Sequence, residues 1–156
     1  MDVYLLRSSI PHEDGPGGYL TAEGRRLVRA IGTKLKNTGF PEDVARVLVA
    51  PSPAALQTAE LFAERVDYIG VIEVVPSLAG GVPAQVAGNL VVGSGGDARP
   101  VLVVADEPAL SALGAWLVSR PTFPPLRHAQ VSAIVGRAPA WYQRADTGER
   151  LPLLVA

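Results

Sequence analysis

Cysteine is missing from all 156 residues. That excludes disulfides, thiol catalysis and cysteine-ligated metals from this chain. Histidine is nearly as scarce, so a chemistry needing imidazoles can draw only on His12 and His128. An excess of one charge is lacking too: 14 Lys and Arg stand against 15 Asp and Glu, for a formal net charge of -1. A nucleic-acid or anionic-membrane surface would call for a basic balance, and none is present. Long apolar runs are also wanting. Residues 82–96 are interrupted by Pro83, Gln85, Gly88 and Asn89, short of the roughly 20 apolar residues of a membrane-spanning helix. The N-terminus has no basic region leading into a long apolar one. Its short run, 3–6, lies between Asp2 and Arg7 and fits a first strand rather than a signal peptide. A cytoplasmic protein is expected, with no cofactor and no metal.

What is present is a globular composition, 48% hydrophobic and 19% charged. At this length a single domain over 1–156 can bury a substantial core. Apolar runs of strand length at 3–6, 44–49, 71–75, 101–104 and 131–135 predict strands buried on both faces. Between them, Leu27, Val28, Ile31 and Leu35 recur at helical spacing, after Thr21 as N-cap and before Gly39 as C-cap. Further helices are predicted over about 54–66, 82–92 and 108–119, the one over 82–92 ending at Gly93-Ser94-Gly95-Gly96. The tail from Gly136 onward suggests irregular or short-strand structure.

This alternation predicts a three-layer α/β/α sandwich around a mostly parallel sheet, with right-handed crossovers. Ligands of such sheets bind outside the carboxyl ends of the strands. Here those ends are Arg7-Ser8, Ala50-Pro51 and Ala105-Asp106. Two of them share a local design, VLVAPSPAAL and VLVVADEPAL: a strand, a proline-bearing turn and a helix start, used twice rather than as a repeat array.

Four collinear stretches carry a resemblance: VYLLRSS, YLTAEGRRLVRAIGTKL, VLVAPSPAALQTAELFAE and VLVVADEPALSALGAWLV. Together they are similar to the histidine phosphatase superfamily with its phosphoglycerate mutase-like fold, and most closely to the compact SixA-type phosphohistidine phosphatases. The resemblance implies a phosphatase in which a histidine at the end of the first strand attacks phosphorus. Two arginines and a second histidine surround the phosphoryl oxygens, and a carboxylate protonates the leaving group. Carried onto this chain, Arg7 keeps the first arginine. Ser8 stands at the nucleophile, Ala54 at the second arginine and Asp106 at the second histidine, while Ser77 falls near the acidic position.

A serine hydroxyl is a poor nucleophile without a base, and neither histidine falls at a matching position. His12, on a loop able to fold over the strand ends, is the better substitute of the two. A carboxylate at 106 would repel a phosphate dianion. An Arg7–Asp106 ion pair plugging the site is the expected arrangement, with Glu107 favoured by the dipole of the following helix. Three readings stay open. One is an inactive, SixA-like pseudophosphatase acting by binding a partner protein. Another is a phosphohistidine or phosphoester phosphatase using Ser8 or His12. The last is a binder of a non-phosphate ligand, a cationic one among them; an anion or small ligand near Arg7 also fits the retained cation.

Other features point to less. A metal held by Asp106 and Glu107 with Glu13 or Asp14 matches no ligand spacing. Gly15-Pro16-Gly17-Gly18 lacks the Gly-Lys-Ser/Thr ending of a P-loop. Arg25, Arg26, Arg29, Lys34 and Lys36 make a solvated helix face. The apolar residues of 123–126 and the pair Trp141-Tyr142 are either a partner surface or packing on the protein's own core.

Overall fold

The computed structural model describes residues 1–12, 18–93 and 98–156. The segment Gly15–Gly17 and the carboxylates Glu13 and Asp14 lie outside the described residues, as do Ser94, Gly95 and Gly96. Seven strands form one sheet: β1 (Val3–Arg7), β2 (Arg46–Val49), β3 (Ile72–Val74), β4 (Val101–Ala105), β5 (Val131–Val135), β6 (Ala138–Gln143) and β7 (Arg150–Pro152). Their order is β3-β2-β4-β1-β5-β6-β7. The first four positions in that order pair in parallel, and β5, β6 and β7 continue the sheet antiparallel. The tail that the sequence left as irregular or short-strand structure thus supplies two strands. Its alternation is hard to see because β6 is only partly buried along its length.

Among the described residues four helices cover the sheet: α1 (Ala22–Thr38), α2 (Pro53–Arg65), α3 (Ala84–Val92) and α4 (Ala109–Val118). The chain moves outward from β1 to β2 to β3, then crosses back to β4. Right-handed crossovers in opposite directions put helices on opposite faces. Accordingly α1 packs on α2, and α3 on α4.

Local sequence explains each start and stop. Thr21 accepts the Gly24 N–H at 2.9 Å and caps α1. Gly39, with a φ of 122°, closes that helix by donating its N–H to Leu35 at 2.8 Å, a conformation that a side chain would strain. The two helix pairs approach through glycine. A Cβ on Gly32 would lie 2.7 Å from the Arg65 Cβ, and one on Gly88 2.3 Å from the Trp116 ring. The core is continuous across the sheet, from Leu27, Ile31 and Phe62 on the α1–α2 side to Leu110, Leu113 and Leu117 on α4. Each such side chain contributes about 1.5–3 kcal/mol on burial.

The aromatic segment expected as a possible partner surface belongs to this core. Phe123 and Leu126 are buried, and the Phe123 ring lies against Gly114 of α4. Trp141 packs on Tyr4, ring centroids 6.0 Å apart, and carries the Arg150 guanidinium over its face at 3.7 Å. Among the described residues no helix is long and apolar enough to cross a membrane.

Candidate functional site

Strands β2, β4 and β1 lie side by side and end together. Arg7 is registered with Ala105 and Val49 with Val104. The ladder runs one residue past each pairing, with Ser8 N–H donating to Ala105 at 3.0 Å and Ala50 N–H to Val104 at 2.9 Å. The topology therefore brings Ser8, Asp106 and the Pro51-Ser52-Pro53 turn to one rim.

At that rim the Ser8 hydroxyl donates to Asp106 Oδ1, and the Ser52 hydroxyl donates to Asp106 Oδ2 at 3.2 Å. Ser52 also accepts the Ala55 N–H at 3.1 Å, capping α2. Asp106 itself leads into α4, its carbonyl accepting the Leu110 N–H at 3.1 Å. The carboxylate thus sits before two helix N-termini, where negative charge is favoured, with a hydroxyl on each oxygen. Among the described residues no Lys or Arg ion pair adds to these contacts.

The expected Arg7–Asp106 ion pair is not formed. Arg7 Nη1 donates to the Leu126 carbonyl at 2.8 Å, and among the described residues Arg7 has no carboxylate partner. The turn at 127–130 determines this, because it is sewn to the end of β1: Arg7 N–H donates to Gln130 at 3.1 Å and Ala129 N–H to Arg7 at 3.0 Å. That turn brings a carbonyl within reach of the guanidinium. Glu107 holds the other side of the same residue. Its Oε2 accepts the Leu126 N–H and its Oε1 the Ser111 N–H, both at 2.7 Å. The helix-start role expected of Glu107 is present, together with a loop contact the sequence did not suggest.

The histidines are arranged contrary to expectation. His12 is exposed and enters the fold through its backbone, donating N–H to Tyr19 at 2.9 Å. His128 is the one brought to Ser8, its Nδ1 3.0 Å from the Ser8 carbonyl. A carbonyl only accepts, so Nδ1 carries the proton in this contact. The contact is to the main chain and leaves the Ser8 hydroxyl to Asp106. Sequence spacing offered no sign of this, because the two residues meet only through the antiparallel β1–β5 pairing.

Ala54 is buried in the first turn of α2 and carries no polar group to offer a ligand. Ser77 sits in the short 3₁₀ turn Pro76–Leu78, and its buried Oγ has no hydrogen-bond partner among the described residues. The following Leu78 and Ala79 share a cleft of about 350 Å³ with Ser52, Asp106 and Glu107. Among the described residues no three His, Asp or Glu side chains gather as a metal would require.

The motif residues that match form the frame of the rim. Buried Ser9 donates its hydroxyl to Gly24 at 2.7 Å and its N–H to Thr58 Oγ1 at 3.1 Å. Gln57 Oε1 accepts the Leu20 N–H at 2.7 Å. Gly24 is needed for space, since a Cβ there would lie 2.5 Å from the Ile10 carbonyl oxygen. These contacts tie the β1 loop to α1 and α2. The positions to which the resemblance assigns chemistry, 8, 54 and 106, hold Ser, Ala and Asp.

No family model matches the chain, and no curated protein does. Solved structures do. The protein histidine phosphatase SixA complexed with tungstate superposes with a TM-score of 0.85 at 22% identity, covering 96% of this chain and 100% of that one. A protein assigned as a SixA phosphohistidine phosphatase, from Agrobacterium tumefaciens, gives 0.69 at 14% identity over 99% and 98%. A mycobacterial glucosyl-3-phosphoglycerate phosphatase gives 0.63 at 18% over 85% and 88%. The chain has the fold of the histidine phosphatases, in its compact SixA-type form.

Proposed function

We propose that this chain is a pseudophosphatase: a SixA-type scaffold that acts by binding, most simply to a partner protein in the cytoplasm, and does not hydrolyse phosphate esters. One observation carries the reading. The rim position where a phosphoryl group would be handled holds the Asp106 carboxylate, fixed by Ser8 and Ser52. At an effective dielectric constant of about 20, two unit charges of like sign about 4 Å apart repel by about 4 kcal/mol, and a phosphate dianion carries more than one. Ala54 offers no guanidinium to offset that, and the Arg7 side chain turns to the Leu126 carbonyl and lines a different cleft from Asp106. Repulsion therefore outweighs attraction at the old centre.

A second reading, a serine-based phosphatase, has the Ser8–Asp106 hydrogen bond in its favour, since a carboxylate could take the hydroxyl proton. The match is poor. A carboxylate is a far weaker base than an alkoxide, so little Ser8 alkoxide would form. The His128 ring meets the Ser8 carbonyl and not its hydroxyl.

Phosphate release from a phosphohistidine peptide and from an aryl phosphate, measured beside an active SixA-type enzyme, tests the reading. Release at the buffer background is expected. Clear release that Ser8→Ala abolishes would overturn it in favour of the serine enzyme.

A further inference from the structure

The antiparallel half of the sheet gathers cations on the far side of β1 from Asp106. The carboxyl end of β1, the start of β5 and the end of β6 share one edge, because β5 runs against β1 and β6 against β5. Arg7, the 127–128 turn and Arg144 therefore converge there. They line a cleft of about 300 Å³ with Leu27, Ala145 and Asp146. Three guanidinium groups and the His128 ring meet a single carboxylate. That carboxylate, Asp146, is already spent on Arg144, in a two-pronged contact at 3.0 and 2.5 Å. Two positive charges are left over in a chain whose formal net charge is -1. Gathering like charge in a concave site costs energy that a bound counter-anion recovers.

We propose that this cleft, bounded by Arg7, Arg127, His128 and Arg144, binds a dianionic oxyanion, either free phosphate or the phosphoryl group of a monoester. The proposal rests on the reading that the chain binds without turnover, and it places the bound group on the opposite flank of β1 from Ser8–Asp106. Arginine forks suit tetrahedral oxyanions, donating parallel N–H bonds to two oxygens. Arg127 is exposed, and no acceptor among the described residues engages its side chain. The Leu126 carbonyl holds Arg7 through one nitrogen, Nη1, and the guanidinium has further N–H donors. Leu27 and Ala145 add apolar wall, which favours an ester bearing an organic group over the bare ion.

The test is a titration of the ¹⁵N-labelled full chain with phenyl phosphate and, separately, with inorganic phosphate, followed by amide chemical shifts. Saturable shifts centred on Arg127, His128, Arg144 and Ala145 are expected. Arg127→Glu should weaken binding about tenfold or more, Arg127→Gln by less, and Glu60→Gln, on a separate cleft, should leave it unchanged. Tighter binding of phenyl phosphate assigns the monoester, and equal binding assigns the free ion. Absence of saturable shifts overturns the proposal. So do shifts confined to Ser52, Asp106 and Ala109, or an Arg127→Glu titration matching the parent in a chain with an intact spectrum. The phosphate-release assay reads turnover alone, so its outcome bears on the pseudophosphatase reading and leaves this binding test to stand or fall separately.

Discussion

Ser8 and Asp106, 98 residues apart in the chain, share a hydrogen bond across the join of β1 and β4. The carboxylate completes its set of contacts with Ser52, the cap of α2. Three strand ends and a helix start are thereby tied at one acidic residue. The same contacts that tie the rim together fix a negative charge there.

Replacing that residue separates hydrogen bonding from charge. Asp106→Ala strips both hydroxyls of their acceptor, and an unpaired buried polar group costs about 1–3 kcal/mol. Asp106→Asn keeps an acceptor oxygen and should cost clearly less. Urea unfolding of the two variants measures the difference, and equal losses would mean that the hydroxyl contacts contribute little.

Glu107→Ala should loosen the 120s loop. It removes the acceptor for the N–H groups of Ser111 and Leu126 while leaving the strands intact. Amide exchange at Leu126 is expected to quicken markedly, with exchange in β1 and β4 little changed. Unaltered protection at Leu126 would show that its carbonyl contact with Arg7 is enough to hold the loop.

Gly24→Ala probes the closest backbone approach at the rim. The added methyl would lie 2.5 Å from the Ile10 carbonyl oxygen, so the β1 loop and α1 must move apart. Overpacking of this kind costs about 1–3 kcal/mol. Thermal unfolding should show a lowered midpoint with no loss of helix content, and an unchanged midpoint would show that the loop yields freely.

Tyr4 gives the fold an alkaline limit. Burial pushes its phenol above the ordinary value of 10.0, Asp2 adds to the effect and Arg150 opposes it. The folded chain thus holds this proton longer than the unfolded one. The associated stability is complete below the unfolded pKa and is lost as pH rises through the folded value. Urea unfolding at about pH 9 and about pH 11 should show the fall, and Tyr4→Phe should flatten it. The same slope in both proteins would assign the alkaline limit to other groups.

The parallel strands and the first two helices were legible because each is a local pattern: a continuous apolar run, or a helical period between Thr21 and Gly39. That Ser8 and Asp106 would meet at one rim was equally legible, because both follow the ends of neighbouring parallel strands. What escaped is non-local. Arg7 could pair with Asp106 or turn to Leu126, and the choice is made by the 127–130 turn, which sequence alone does not register against β1. His128 escaped for the same reason, and His12 looked better only because its loop is nearer in the chain. The cation cleft needs β6 to run beside β5, and the half-buried pattern of β6 gave no strong strand signal.

The sheet begins and ends in strands of three residues, β3 and β7. So short a border exposes few free amides and carbonyls, and short edge strands are a known guard against sheets joining edge to edge. A visiting polypeptide would find scant purchase there as an eighth strand, and self-association by that route is disfavoured at high concentration. The surface left for the binding proposed above is that of the loops at the strand ends. There one molecular face presents an acidic and a basic hollow on either side of β1, a polarity that would let a complementary surface seat itself in only one orientation.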